Sequence, residues 1–183
     1  DRVACAGVGF ASHAEVISVP KNLCVTLPAN VPFEAGAFGT LGAIALQGVR
    51  LAAPTLGESI VVIGLGLVGQ LTVQLLKANG CRVFGLDLDH SRVALARNLG
   101  ADDAAVSDDD AAKAIERWTR GRGADVVCAV HAGRPHERVF VAAGADGRLV
   151  PEDIEADAQA AVAHGGVERV VVDDLGARSV DEH

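Results

Sequence analysis

The sequence contains no methionine and no tyrosine, and only one tryptophan and five phenylalanines among its 183 residues. Because no initiator methionine is present, we expect the chain to be part of a longer protein. An excess of positive charge is also missing, since 16 Lys and Arg stand against 24 Asp and Glu and give a formal net charge of -8. Nucleic acids and anionic lipid surfaces attract basic patches. We therefore expect neither a nucleic-acid partner nor a membrane partner.

Long hydrophobic runs are absent as well. Gly and polar residues interrupt every apolar stretch before it reaches the roughly 18 residues that a membrane helix needs. The N-terminus also lacks the basic start and continuous apolar stretch of a secretory signal, so we expect a cytoplasmic protein. Hydrophobic residues nonetheless make up 50% of the chain, which is enough for the core of a compact domain.

The four cysteines, Cys5, Cys24, Cys81 and Cys128, lack the close spacing of zinc-binding or redox-active pairs. Each lies inside an apolar stretch, so we expect four buried free thiols. The acidic run at residues 108–110 is typical of a helix N-terminus. We predict no metal site.

The order of predicted strands and helices differs between the first part of the chain and the rest. Residues 1–32 contain short β-rich runs, at 3–6, 15–19 and 23–27, whereas from Phe33 to about Ala53 the sequence is helical in composition. From Ser59 onward, apolar strands and helices alternate, as in a parallel sheet covered on both faces. We predict an α/β fold in which a short β segment, residues 1–32, precedes a doubly wound parallel sheet in residues 33–183.

The alternating pattern predicts six strands, at residues 59–63, 82–86, 104–106, 125–130, 147–150 and 167–173. It predicts intervening helices at residues 67–78, 91–98, 109–119, 135–143 and 151–163. Ser91 is the predicted N-cap of the helix at 91–98.

A glycine motif follows the first of these strands, in the segment SIVVIGLGLVGQLTVQLLKANG at residues 59–80. Gly64, Gly66 and Gly69 have the spacing G-x-G-x-x-G between an apolar strand and a helix. The first glycine permits the tight turn, the second lets a pyrophosphate approach the backbone, and the third allows the helix to pack closely on the strand. The amides at the helix N-terminus can then bind phosphates.

The residues between these glycines are apolar. We expect Leu65, Leu67 and Val68 to shield the phosphate contact from water. A P-loop is excluded, because no Gly-Lys-Ser or Gly-Lys-Thr follows the motif.

Asp87 ends the next predicted strand, about twenty residues after the motif, where a carboxylate can accept hydrogen bonds from ribose hydroxyls. The combination predicts a Rossmann-type dinucleotide site. Asp87 repels a 2′-phosphate and so favours NAD over NADP, although the nearby Arg92 can reach either a ribose hydroxyl or a phosphate. An alternative stays open, in which the glycines serve only packing and Asp87 is an ordinary solvated strand end.

Three segments together resemble the medium-chain dehydrogenase/reductase family: DRVACAG, ASHAEVISVPKNLCVTLPANVPFEAGAF, and the run from GAIALQGVR through the glycine motif to ARNLGAD. These segments are most similar to the zinc-independent, alcohol-dehydrogenase-like members of the family. The resemblance implies that residues 1–32 are the end of a GroES-like catalytic domain and that residues 33–183 bind the dinucleotide. It also implies hydride transfer to or from a nicotinamide and, often, a dimer.

By matching positions, the resemblance implies cofactor contacts from Gly64, Gly66, Gly69, Asp87 and Arg92. It places His131 and Ala132 near the ribose and nicotinamide, so His131 is a weak candidate for a catalytic residue. His13 and Thr40 are weaker candidates for a proton relay and a nicotinamide or substrate contact.

The chain also departs from the family's pattern. In zinc-dependent members, most metal ligands lie upstream of the segment that this chain matches. The remaining ligand position falls on Gly39, which has no ligand atom in its side chain, and the Cys-rich structural zinc loop is missing. Catalytic zinc is therefore not expected.

These observations leave three hypotheses for function. The first is an NAD(P)-dependent, zinc-independent oxidoreductase for a small-molecule substrate, either a homodimer or completed by an upstream segment or partner. The second is a truncated, non-catalytic dinucleotide-binding or assembly module. The third is a non-redox enzyme that reuses the cofactor crevice. The segment LVPEDIEADAQAAVAHGGVERVVVDD also resembles the family's closing helix and return strand, as an alternative to two further parallel strands.

Overall fold

The structure is a computed structural model that describes residues 1–108, 110–133, 136–144 and 169–172. The chain divides into two compact units, Asp1–Ala43 and a larger unit from Ile44 onward. The predicted domain boundary between residues 32 and 33 stays a prediction.

The smaller unit is built around a two-stranded antiparallel sheet. Its strands are β1, Val3–Cys5, and β2, Cys24–Thr26. A single helical turn, Lys21–Leu23, leads directly into β2. Helix α1, Phe33–Gly36, follows, and helix α2, Gly39–Ala52, begins in this unit and continues into the next.

Two predictions for this region are wrong. Residues 15–19 form no strand, and Val16 is 88% exposed. High β propensity reflects packing against a neighbouring strand, and within the described residues these five have none. The helix predicted from Phe33 to about Ala53 is interrupted between Gly36 and Gly39, as suits the low helix propensity of glycine.

The larger unit contains a six-stranded sheet in the order β5-β4-β3-β6-β7-β8. Its strands are β3 (Ser59–Ile63), β4 (Arg82–Asp87), β5 (Asp103–Val106), β6 (Val126–Gly133), β7 (His136–Gly144) and β8 (Arg169–Val172). The first four strands in that order pair in parallel. The prediction of an α/β fold with a parallel sheet is confirmed for these four strands.

The last two strands correct the prediction that all six are parallel. Residues 136–144 form β7, where a helix was expected at 135–143, and β7 is antiparallel to β6. Alanines favoured the helix, but Val139, Phe140 and Val141 are strong strand formers. β8 is parallel to β7 and lies within the predicted strand at 167–173. The predicted strand at 147–150 and helix at 151–163 lie outside the described residues.

Three helices alternate with the parallel strands: α3 (Leu67–Ala78), α4 (His90–Asn98) and α5 (Ala111–Thr119). The core consists of apolar residues from strands and helices, among them Ile60, Val61, Leu76, Phe84 and Ile115. All of β3 except its last residue, Ile63, is buried, as expected for a strand in the middle of a covered sheet. In the described part of the chain, no helix has the length and hydrophobicity to cross a bilayer.

Candidate functional site

The candidate site lies where β3 ends and α3 begins, and two of its glycines are required by packing. Gly64 has a φ of +88°, and a Cβ there would overlap the Val130 carbonyl oxygen. A Cβ at Gly69 would overlap the carbonyl oxygen of Gly64. Any side chain at either position would therefore push the helix, or the neighbouring β6, away from the strand end.

Gly66 differs from these two glycines. Its φ of -66° and ψ of -167° are open to any residue, and no heavy atom of the described residues lies within 4 Å of the place a Cβ would take. Neither backbone strain nor internal packing requires glycine here. The missing side chain instead leaves the backbone of the turn open to close approach from outside, which is what a pyrophosphate needs.

The backbone amides beside Gly66 are suited to an anion. The Gln70 amide donates to the Gly66 carbonyl oxygen at 2.9 Å, which begins the helical ladder of α3. The amides of Leu67, Val68 and Gly69 belong to the first turn, whose N–H groups have no acceptor within the helix. Together with the helix dipole, they favour negative charge at this end of α3.

The apolar residues of the turn do not all lie where they were expected. Leu65 and Val68 are each 1% exposed, whereas Leu67 is 46% exposed. Leu65 and Val68 therefore pack into the core, and only Leu67 of the three has an exposed side chain. That these residues shield a phosphate stays a prediction. A Cβ at Gly85 would come within 3.0 Å of Leu65 Cδ1. Gly85, which makes room for Leu65, belongs to no motif in the sequence.

Asp87 is buried at the end of β4, with 8% of its surface exposed. Its Oδ2 accepts a hydrogen bond from the Leu65 amide at 2.6 Å, and its Oδ1 accepts one from the Asp89 amide at 2.9 Å. The carboxylate therefore fixes the glycine turn and is not an ordinary solvated strand end. Each carboxylate oxygen has a second acceptor site, so ribose hydroxyls can still be bound.

Arg92 is the basic residue nearest to this carboxylate among the described ion pairs. Its Nη1 lies 3.7 Å from Asp87 Oδ2, its Nε lies 3.9 Å from Asp89 Oδ2, and its side chain is 53% exposed. Two carboxylates thus surround one guanidinium at the turn from β4 to α4. Because two negative charges already share one positive charge, a further negative group at this turn is electrostatically unfavourable.

The N-cap of α4 corrects another prediction. Asp89, not Ser91, caps the helix, and its Oδ1 accepts hydrogen bonds from the Ser91 amide and the Ser91 hydroxyl, both at 2.7 Å. These bonds hold the pKa of the Asp89 carboxyl below its usual value. Asp and Ser are both good caps, and the helix begins one residue earlier than expected, at His90.

Gln70 is a site residue that sequence reasoning missed. It is 6% exposed, and its Nε2 donates to the Leu65 carbonyl oxygen at 3.0 Å and to the Arg92 carbonyl oxygen at 2.9 Å. Its side chain therefore ties the glycine turn to α4. Its Oε1 is buried without a hydrogen-bond partner in the described part of the chain. The available signal was a long polar side chain directly after the last glycine of the motif.

The candidate catalytic residues lie in different parts of the fold. His131 and Ala132 lie in β6, beyond Ala129, the last residue of that strand paired with β3. This is the carboxyl end of the parallel strands, where ligands bind in folds of this class. In the smaller unit, His13 is exposed outside regular structure, and Thr40 is the second residue of α2.

Zinc does not fit the residues that the structure describes. Among them, no three His, Cys, Asp or Glu side chains come together as a metal site. Cys5 and Cys24 are in contact, with 3.5 Å between their sulfur atoms, but two ligands do not complete a tetrahedral zinc site.

The comparisons with known proteins support a dehydrogenase but give no support to the expected zinc independence. A family model described as zinc-binding dehydrogenase matches residues 68–152. The 2-dehydro-3-deoxy-L-galactonate 5-dehydrogenase of Pseudoalteromonas atlantica is 34% identical over 125 residues, which cover 68% of this chain and 37% of that protein. The chain spans about a third of the length of the curated relatives it matches.

Solved structures of oxidoreductases also match this chain. The 2R,3R-butanediol dehydrogenase of Bacillus subtilis matches with a TM-score of 0.56 and 32% identity over 62% of this chain and 33% of that one. The quinone oxidoreductase of Thermus thermophilus, also solved in complex with NADPH, matches with a TM-score of 0.52 and 31% identity over 60% of this chain and 36% of that one.

Proposed function

We propose that this chain is part of an NAD(P)-dependent oxidoreductase of the medium-chain dehydrogenase/reductase family. In this proposal the enzyme transfers hydride between a nicotinamide and a small-molecule substrate. The observation that carries the proposal is Gly66, which lacks a side chain although neither its conformation nor its surroundings require this. A dinucleotide explains that choice, because its pyrophosphate must come close to the backbone.

In this proposal the chain's own residues bind and orient the dinucleotide. The amides of Leu67, Val68 and Gly69 bind the pyrophosphate, and Asp87 accepts hydrogen bonds from the adenosine ribose. Gly64 and Gly69 keep the turn against the sheet, while the Leu65 backbone amide donates a hydrogen bond to the Asp87 carboxylate. A nicotinamide held by these residues would supply the hydride acceptor or donor.

NAD is the proposed cofactor, in preference to NADP. A 2′-phosphate at the end of β4 would meet the carboxylates of Asp87 and Asp89, while Arg92 supplies a single compensating charge that both already share. Like charges placed together are unfavourable. Because the quinone oxidoreductase was solved with NADPH, NADP is the alternative that a binding test must include.

We also propose that hydride transfer proceeds without zinc bound to the described residues. The position matched to the remaining zinc ligand is Gly39, and the described residues form no metal site. A proton must still move to or from the substrate, and His131 at the carboxyl end of β6 is the proposed group. Metal analysis of the purified protein tests the first point, since one bound zinc per chain that is needed for turnover would contradict it.

The smaller unit supports a proposal about partners. Four large apolar side chains of this unit, those of Val8, Val16, Val25 and Phe33, are 87%, 88%, 64% and 59% exposed. Contact with another protein segment would remove this apolar surface from water. We propose that an upstream segment or the second copy of a homodimer covers it. The cytoplasmic location stays a prediction.

The same exposed surface favours a second candidate function, a non-catalytic dinucleotide-binding or assembly module. Titration calorimetry with NADH and NADPH, followed by a hydride-transfer assay with alcohols and enones, separates the two. An oxidoreductase binds NADH with micromolar or lower Kd and turns over. Binding without turnover favours a dinucleotide-binding module. No binding of either cofactor contradicts the oxidoreductase and leaves only an assembly module.

A further inference from the structure

The smaller unit brings two cysteines together that are 19 residues apart in the sequence. Cys5 in β1 and Cys24 in β2 are direct partners across the antiparallel ladder. Their sulfur atoms are 3.5 Å apart, and both side chains are only partly buried. The expectation of four buried free thiols is therefore wrong in burial for these two, although all four cysteines are free in the structure.

The ladder around them has the geometry that a disulfide needs. The Ala6 amide donates to the Leu23 carbonyl oxygen, and the Leu27 amide donates to the Arg2 carbonyl oxygen, both at 2.9 Å. Because hydrogen-bonded pairs alternate along an antiparallel ladder, Cys5 and Cys24 occupy a non-hydrogen-bonded position. Cα atoms at such a position are about 4.5 Å apart, within the range of about 4.4–6.8 Å that disulfides span.

Cys81 and Cys128 differ from this pair because both are buried. Cys81 is 2% exposed and Cys128 is 0% exposed. Burial raises the pKa of the Cys81 thiol, and it raises the pKa of Cys128 to about 12. The hydrogen bond with Cys5 also raises the pKa of Cys24, so exposure is what separates the two kinds of cysteine. A small disulfide can reach the partly exposed Cys5 and Cys24, whereas Cys81 and Cys128 are buried in the folded protein.

We propose that Cys5 and Cys24 are a redox-active pair, which a small-molecule disulfide of the glutathione type oxidises reversibly to an intramolecular disulfide. One thiolate attacks a sulfur of the oxidant, which forms a mixed disulfide and releases one small thiol. The second cysteine then attacks the mixed disulfide and releases the second small thiol. The protein loses two electrons and two protons, and the oxidant gains both.

The bond requires little rearrangement. Rotation about the Cα–Cβ bonds brings the sulfur atoms from 3.5 Å to the bonded distance of about 2.05 Å without breaking the ladder. The disulfide then closes a loop that contains the irregular residues 7–20. Oxidation is therefore expected to hold this exposed connection covalently, whereas reduction leaves it joined by the β1–β2 ladder.

Mass spectrometry of the full chain tests the proposal. The protein is equilibrated with oxidised glutathione and quenched in acid, and its intact mass is measured. A second portion is unfolded in denaturant at mildly alkaline pH, where thiols ionise, in the presence of iodoacetamide, and is then digested. We expect a mass loss of about 2 Da, corresponding to two hydrogens, a cross-linked pair of peptides that contain Cys5 and Cys24, and reversal by dithiothreitol. Cys81 and Cys128 are internal controls and are expected to be alkylated. Alkylation of all four cysteines, or a bridge that includes Cys81 or Cys128, overturns the proposal.

Single variants test the exchange itself. In Cys24→Ser, Cys5 has no partner, so we expect it to retain one glutathione after the same treatment, and we expect the converse for Cys5→Ser. In the unsubstituted chain, a stable glutathione adduct on either residue would show that the second attack does not occur and would contradict an intramolecular pair. If either variant fails to fold, peptide mapping of the unsubstituted chain still decides.

Discussion

The Leu65 amide donates a hydrogen bond to Asp87 Oδ2 at 2.6 Å, which joins the glycine turn after β3 to the end of β4. The same carboxylate accepts the Asp89 amide at 2.9 Å. One buried side chain thus fixes both turns that border the proposed nucleotide site. The residue proposed to recognise the ribose is therefore also a residue on which the local fold depends.

Replacement of Asp87 by Asn is expected to lower stability. An amide has one acceptor oxygen, so one of the two backbone N–H groups loses its partner, and an unpaired buried group costs about 1–3 kcal/mol. The free energy of unfolding, measured in urea, tests this. Asp89→Asn is the matched control, because it removes the same charge while Asn and Asp are equally good N-caps. Equal stability loss in both variants would show that Asp87 has no special structural role.

Replacement of Arg92 by Ala is expected to strengthen the preference for NADH over NADPH. The change removes the one guanidinium that Asp87 and Asp89 share, so a 2′-phosphate meets two uncompensated carboxylates. Calorimetry should show a larger affinity loss for NADPH than for NADH. Arg97→Ala is the control, because Arg97 pairs with Asp103 and its loss changes the net charge equally. An unchanged cofactor ratio in Arg92→Ala would contradict the proposed role.

Gln70→Leu tests the tie between the glycine turn and α4. It leaves the Leu65 and Arg92 carbonyl oxygens without the donor that they share, and we expect a loss of about 1–3 kcal/mol in the free energy of unfolding. We also expect weaker NADH binding, because the turn is less firmly held. Gln74→Leu, one helical turn later, is the control and should leave NADH affinity unchanged. Unaltered stability and affinity in Gln70→Leu would show that the tie has no energetic importance.

The Asp89 cap predicts a specific pH dependence of stability. Hydrogen bonds from Ser91 lower the pKa of Asp89 in the folded protein, so the unfolded chain binds the proton more readily. The cap's contribution is complete above the unfolded pKa of about 3.9 and is lost as pH falls through the lower folded value. Melting temperatures at several pH values below 5 should therefore fall less steeply in Asp89→Asn. Parallel curves for the two proteins would rule out this contribution.

The sequence was most informative where the signal was local. The apolar strand, the glycine spacing and the following helix predicted β3 and α3 with their observed bounds, because each depends on residues close together in the chain. The Ala-rich segment at 135–143 misled because alanine favours a helix, whereas pairing with β6 stabilises a strand. The pattern of neighbouring residues carries no information about the pairing of this segment with β6, which is not set by local propensity.

Side-chain partners were harder to predict than strands. The contact between Cys5 and Cys24 depends on the register of two strands that are separated by an irregular connection. The inward packing of Leu65 depends on the absence of a side chain at Gly85, on another strand. Neither relationship is visible in spacing, because each is set by which segments pair and in which register.

The most direct test of the account compares Gly66→Ala with Gly42→Ala. At both positions a Cβ would meet no heavy atom of the described residues within 4 Å, and neither residue has a positive φ, so both variants are expected to fold. Titration calorimetry should show that Gly66→Ala weakens NADH binding roughly tenfold or more, the equivalent of about 1.4 kcal/mol, while Gly42→Ala binds as the unsubstituted chain does. NADH affinity that is unchanged in Gly66→Ala would contradict a pyrophosphate contact at this turn, and with it the proposed nucleotide site.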